Sequence, residues 1–500
     1  MNQPPLKANY LLETVVFISG AVLMIYELVG SRVLGPYLGT SIYVWTSLIG
    51  VILCSLSLGY WAGGRLADKR TDLKILALVI FSASVFIFLT VVFRSMAPLY
   101  FISLNLPLEL SSLFISIILF SPASFLLGII SPYCVKIKIE QLATSGAAVG
   151  KLYAISTLGS IGGTFLAGFF LIPFFGTVKI LYALSLVLFL LSLLLSLKSF
   201  FKSRLWFLFL LILFLAGDAW FDLLRQNYFI DLDSQYNRLW LYRGKDLATD
   251  RPTLNLATDP YGTQSAMFTD KDDDLVLAYT KFYRLLKHFK PEAAKVLMFG
   301  GCAYSYPKDF LEKFPNSEIS VVEIDPKMTE LARKYFNLPA SEKLKIHHED
   351  GRVFLNKTNQ RFDAILGDAF NSFSSIPYQL TTLEAVKKKY EILNDNGLVI
   401  LNIISSLRGS SGKFLRAEYA TYKKVFPQVF LLPVNDATNP DLRQNFMLLA
   451  FKSESELVWQ SPDQELNSYL RHLYSGEVAG DPPVLTDDYA PVEYYYRSAL

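Results

Sequence analysis

The sequence predicts a multi-span α-helical membrane domain followed by an α/β domain of Rossmann type, with a β-rich piece between them. Three observations carry this. Apolar runs long enough to cross a bilayer fill the chain before Asp218 and then stop. From Lys295 onward, strand-length apolar runs alternate with helical ones, the pattern of βαβ units. Four of those strands end in a glycine or a carboxylate: VLMFGG (296–301), VVEIDP (321–326), HEDGRVFL (348–355) and FDAILGDAF (362–370). Open α/β sheets bind ligands just past such strand ends, and these offer a close backbone turn, an acid for a ribose and an Asp-Gly turn.

The length of 500 residues suggests more than one domain. The expected divisions are 1–222 for the membrane domain, 223–290 for the β-rich piece, 291–455 for the cofactor domain and 456–500 for a C-terminal extension. Hydrophobic residues make up 52% of the chain. Mean hydropathy is +0.33, and the excess lies before Asp218. A net charge of +3 without blocks of like charge gives no reason to expect a nucleic-acid partner. Cys54, Cys134 and Cys302 lie far apart and form no CxxC pair. His288, His347, His348 and His472 show no ligand spacing, so neither a metal site nor a Ser/His/Asp triad is expected. His347 and His348 fall on a predicted strand, where neighbours point to opposite faces, and read as structural.

Seven stretches are candidate spans: 10–30, 40–64, 73–94, 108–133, 152–174, 177–197 and 204–220. Small residues in SLSLGYWAGG (55–64) and GSIGGTFLAG (159–168) permit close helix packing. Basic residues gather between spans two and three (Arg65, Lys69, Arg70, Lys74), four and five (Lys136, Lys138, Lys151), and six and seven (Lys198, Lys202, Arg204). Those loops should be cytoplasmic, and the N-terminus with them. A seventh span would then place the α/β domain outside the cytoplasm, away from a cytosolic cofactor. Hydropathy favours the span and cofactor supply favours the cytoplasm. The reading adopted is cytoplasmic, with AWFDLLRQNYF (219–229) as an interfacial segment. Glu27 at the end of the first span reads either as an intramembrane functional acid or as a partner of Arg32.

In the second half, short strands are predicted at 236–242, 253–259, 263–269 and 274–279, then a helix near 279–289. The alternating region predicts strands at 295–299, 318–324, 343–348, 362–367, 397–404, 428–433 and 445–452. Helices between them include 326–336 and 381–393.

Residues 232–452 resemble the spermidine synthases (polyamine aminopropyltransferases), which have the class I methyltransferase fold. The resemblance rests on an ordered set: QSAM, a helix bearing Tyr279, GG, VEIDP, DG, FDAILGDAF and NDNGLVILN. The early IYELVGSRVLGPYLG and the terminal LTDDYAPVEYY are similar to a subgroup in which this domain is fused to a membrane region. The resemblance implies S-adenosylmethionine or its decarboxylated form as cofactor, with S-adenosylhomocysteine or 5′-methylthioadenosine as product and no metal. It implies that Glu323 accepts from the ribose hydroxyls, that Asp350 before Gly351 receives the adenine amine, and that Gly300 and Gly301 let the backbone approach the cofactor. Asn237 stands where the family has a Gln. Asp368 matches the catalytic acid that takes a proton from the attacking amine.

Three departures concern the acceptor. Ala303, Lys281 and Asn371 stand where the family has acids. A dicationic diamine needs several carboxylates to replace its hydration. Tyr279, Tyr304, Asn371 and Tyr378 are the candidate acceptor contacts, and Tyr304, Tyr306, Phe370, Phe373 and Tyr378 suggest a more aromatic pocket. The expected activity is membrane-anchored, aminopropyltransferase-like transfer to a non-standard amine, small or membrane-associated, in contact with the lipid bilayer. Methyl transfer, and a non-catalytic nucleoside-binding or transport component, stay open. A homodimer is among the candidate assemblies.

Overall fold

The computed structural model describes residues 7–139, 145–196, 201–225, 229–260, 262–270, 274–368, 376–439, 441–478, 480 and 483–497. Its first half is helical. Among the described residues, six helices are long and apolar enough to cross a membrane: Tyr10–Leu38, Ile42–Lys69, Leu73–Phe93, Leu108–Lys138, Gly146–Phe174 and Thr177–Leu195. They correspond to the first six stretches read from the sequence. The seventh, 204–220, lies in the helix Phe201–Arg225, part of which, in its side chains, falls outside the described residues. The Arg204 guanidinium is buried against Ser192, and Asp218 accepts from the Tyr182 hydroxyl at 2.7 Å. The small-residue runs sit at helix crossings, Gly63 against Ile129 and Gly163 against Ala21. Arg32 donates to the carbonyls of Ser234 and Gln235.

The chain divides into two compact units, Met1–Asn227 with Leu232–Gln235, and Tyr228–Asp231 with Tyr236–Leu500. The strands β1 (Phe229–Asp233), β2 (Arg238–Lys245), β3 (Pro252–Ala257) and β4 (Ser265–Phe268) form a four-stranded sheet in that order. The stretch 274–279 is not a strand as expected. It makes an isolated bridge between Leu275 and Met267 and then enters the helix Ala278–Phe282. Asp274 is held there by Lys281 and Arg284, which ties the segment to the helix rather than to a sheet edge.

The larger sheet contains β5 (Lys295–Phe299), β6 (Glu318–Val322), β7 (Leu344–His347), β8 (Phe362–Gly367), β9 (Leu393–Ser405), β10 (Gln428–Pro433) and β11 (Gln444–Phe451). Their order is β10-β11-β9-β8-β5-β6-β7. Strands β5 to β9 pair in parallel, whereas β11 runs antiparallel to both β9 and β10. The sheet is therefore mixed and not wholly parallel as the βαβ pattern suggested. The cause is the short connection 434–443, whose described residues form no crossover helix, so the chain returns antiparallel.

Alternation along β5 shows how the core is layered. Leu297 and Phe299 pack on one face with Ile365, Val399, Val386 and Leu415. Val296 and Met298 pack on the other with Val321, Leu366, Tyr283 and Phe310. Both faces are buried, as a doubly wound sheet requires. Because β5 lies between β6 and β8, the order of strands reverses there, and a crevice opens at their carboxyl ends.

Candidate functional site

A cavity of about 140 Å³ occupies that crevice. Its floor is the turn after β5. Gly300, Cys302 and Tyr304 all have positive φ, at 85°, 46° and 58°. The two non-glycine residues are in the left-handed region, which is costly unless the surroundings enforce it. Glu323, at the end of β6, supplies that enforcement. Its Oε2 accepts from the backbone N–H of Gly301 at 2.9 Å and of Cys302 at 3.0 Å. Its Oε1 accepts from the Asp325 N–H at 2.9 Å. Glu323 is 8% exposed. Burial raises its pKa, while these three N–H donors oppose the rise.

Asp350 forms the next wall. Its Oδ1 accepts from the N–H of Arg352 and Val353, capping the helix Gly351–Lys357. Its Oδ2 is 3.5 Å from Gln379 Nε2. One oxygen is thus occupied by the cap and the other lies towards Gln379, a second residue of the cavity lining.

Asp368 follows β8 directly. Tyr279 donates its hydroxyl proton to Oδ2 at 2.8 Å, and Asn402 Nδ2 donates to Oδ1 at 3.0 Å. Asn402 is itself fixed by Asn445, whose Nδ2 donates to its Oδ1 at 2.8 Å. The Tyr283 hydroxyl donates to the Gly367 carbonyl at 2.7 Å and holds the strand end. Burial pushes the Asp368 carboxyl above its ordinary range, and the bonds from Asn402 and Tyr279 partly offset this. A carboxylate with a raised pKa and two orienting donors is suited to accept a proton.

Of the residues singled out from the sequence, Asn237, Gly300, Glu323, Asp350, Gly351 and Asp368 line the cavity. Gly301 stands one layer back. A Cβ on it would lie 2.7 Å from the Tyr304 ring. Tyr279 reaches the site through its hydroxyl. Tyr304, expected at the acceptor, does not line the cavity. Its left-handed backbone turns the ring into the core, where it is 0% exposed and its hydroxyl pairs with Thr329 at 2.6 Å. Tyr306 is likewise core, donating to the Tyr283 carbonyl. Tyr378 is 51% exposed on a short 3-10 turn and does not line the cavity, although its neighbours Pro377 and Gln379 do. Asn371, Phe370 and Phe373 lie outside the described residues. Lys281 is engaged by Asp274 at 2.7 Å.

Other lining residues were not read from the sequence. Thr258 and Gln264 come from the β-rich sheet and its edge, Met328 from the helix after Glu323, and Gln379 and Leu380 from the turn before 383. Gln264 lies within the QSAM motif, which could have pointed to it. Nothing local marks Met328 or Leu380, since both read as ordinary apolar positions.

Residues 282–455 match the Spermine/spermidine synthase domain. The chain is 32% identical to the polyamine aminopropyltransferase of Vibrio vulnificus over 145 residues, which are 28% of this chain and 46% of that protein. A probable polyamine aminopropyl transferase of Bifidobacterium longum is 27% identical over 259 residues, 48% of this chain and 57% of the relative. The eEF1A lysine and N-terminal methyltransferase of Xenopus laevis is 27% identical over 178 residues, 33% of this chain and 25% of that protein. The chain spans about half the length of the two aminopropyltransferases it matches.

Proposed function

We propose, from the premise that this chain is a member of a spermidine synthase-like family, that it is a membrane-anchored transferase. It uses S-adenosylmethionine or the decarboxylated form and acts on an amine other than the family's usual diamine. The observation that carries this reading is a single cavity lined by Glu323, Asp350 and Asp368. Glu323 is suited to the ribose, since a carboxylate has about four acceptor sites and three backbone N–H donors leave one on Oε1 for a ribose hydroxyl. Asp350 Oδ2 is suited to the adenine amine. Asp368 would receive the proton that the amine nitrogen loses as its C–N bond forms and the C–S bond breaks, with the electron pair left on sulfur.

The anchor is the set of long apolar helices, six of them among the described residues. A cytoplasmic position for the α/β unit agrees with the supply of an adenosine cofactor and with the basic loops. The methyltransferase relative favours a second reading, methyl transfer from the same cavity to an amine. Purified full-length protein incubated with labelled S-adenosylmethionine or its decarboxylated form, and candidate amines, separates the two by product mass. Aminopropylated product supports the first reading and methylated product the second. Neither product with any amine, despite cofactor binding, would overturn the transferase assignment in favour of a non-catalytic role.

A further inference from the structure

Thr258, just after β3, lines the cavity that holds Glu323, Asp350 and Asp368. It is 5% exposed, and its Oγ1 is buried without a hydrogen bond. Buried hydroxyls are normally satisfied by protein, water or ligand, and an unmet one is costly. A buried hydroxyl on a cavity wall is therefore a place for a polar atom of the molecule that fills the cavity.

The small sheet fixes where that atom lies. Leu256 pairs with Ser265 in the register of β3 and β4. Ser265 Oγ is 2.8 Å from Ser305 Oγ, and Ser305 Oγ donates to the Ala266 carbonyl at 3.2 Å. Ser305 begins the helix Ser305–Lys313, directly after the turn that carries Gly300 and Cys302. The end of β3 is thus tied to that turn, and Thr258 and Cys302 line the same cavity. With the adenine at Asp350, the ribose at Glu323 and the reacting carbon near Asp368, the chain borne by the cofactor sulfur is the part left for the Thr258 wall.

Charge identifies the polar atom. Four acids line the cavity, Glu323, Glu349, Asp350 and Asp368, and its described lining residues include no Lys, Arg or His. Such a lining favours a cation over an anion. A threonine hydroxyl has two lone pairs to offer an ammonium.

We propose that Thr258 accepts a hydrogen bond from the primary amine on the sulfur-linked chain, and so lets the cavity tell a loaded cofactor from 5′-methylthioadenosine. This rests on the reading of the cavity as an S-adenosyl site. S-adenosylmethionine and its decarboxylated form both carry that amine. In aminopropyl transfer the amine departs with the product, so the nucleoside left behind lacks the Thr258 contact and is held less tightly than the incoming cofactor. In methyl transfer the nucleoside keeps the amine and the contact. Thr258 touches no bond that forms or breaks. It is a specificity-determining residue.

The test is calorimetric titration of full-length protein with three uncharged-sulfur probes: 5′-methylthioadenosine, its propylthio analogue and its 3-aminopropylthio analogue. The aminopropylthio probe should bind about tenfold tighter than the propylthio probe, which has the same chain length without the amine. Thr258→Val, close in shape, should remove that difference and leave the propylthio affinity unchanged, while Thr258→Ser should keep the difference. Because the hydroxyl has no protein partner, Thr258→Val should melt no lower than the unaltered protein. Equal binding of the propylthio and aminopropylthio probes by the unaltered protein would overturn the proposal, as would a preference that survives Thr258→Val. A large fall in the melting temperature of Thr258→Val would also overturn it, by making the hydroxyl structural. Failure of the unaltered protein to bind any of the three probes would overturn the underlying nucleoside reading, whereas equal binding of all three leaves that reading standing and removes only the role of Thr258.

Discussion

The Tyr279 hydroxyl donates to Asp368 Oδ2 at 2.8 Å across 89 residues of sequence. That bond joins the helix Ala278–Phe282, at the edge of the β-rich piece, to the end of β8 in the Rossmann sheet. It explains why a tyrosine belongs on that helix whatever the acceptor is. The phenol aims the carboxylate and favours its ionised form.

Tyr279→Phe should therefore lower turnover by roughly 10- to 100-fold, the range expected for losing a hydrogen bond to a charged group, about 1.5–3 kcal/mol. Affinity for 5′-methylthioadenosine should stay the same. Steady-state kinetics beside calorimetry checks this, and equal loss of both would make the tyrosine structural only.

The pH profile has a defined sign. Asp368 must be ionised to take a proton, and burial holds its pKa above the usual aspartate range. Turnover should fall as pH drops through that raised pKa, so the acid limb lies at higher pH than for an exposed aspartate. Removing the Tyr279 donor raises the pKa further, and Tyr279→Phe should move the limb upward. A limb that is unmoved in the variant would separate Asp368 from the chemistry.

Asp350 caps a helix through Oδ1 and has the adenine amine as the proposed partner of Oδ2, and two substitutions separate these roles. Asp350→Ala removes the cap of Gly351–Lys357 and should cost about 1 kcal/mol of stability as well as nucleoside affinity. Asp350→Asn keeps an oxygen for the cap but points an N–H₂ at the adenine amine. Its melting temperature should be nearly unchanged while affinity falls about tenfold, since two donors then face each other.

Gly301→Ala should destabilise the α/β unit by about 1–3 kcal/mol, because its Cβ would press on the Tyr304 ring at 2.7 Å. Combining it with Tyr304→Leu should recover much of the melting temperature, as expected of neighbours that share one space.

Much of this site is legible in the sequence because strand ends are. Glu323, Asp350 and Asp368 each follow an apolar run of strand length, and the fold places such positions around one crevice. Tyr304 is misread because its left-handed φ turns it away from the crevice, and no periodicity reports that sign. The antiparallel β11 is hidden because apolar runs carry no direction. Lys389 and Glu418 are hidden for the opposite reason. In LEAVKKKYEI and KFLRAEYATYK they read as the solvated faces of amphipathic helices, yet both are buried. Asn402 gains its meaning only once β8 and β9 lie side by side.

The most direct test of the account is calorimetric titration of the full-length protein and of Glu323→Ala with 5′-methylthioadenosine. The account predicts binding to the unaltered protein and none to the variant, in which the ribose acceptor and the clamp on Gly301 and Cys302 are removed together. Unchanged affinity in Glu323→Ala, or no binding to the unaltered protein, would contradict the assignment of this cavity to an adenosine cofactor.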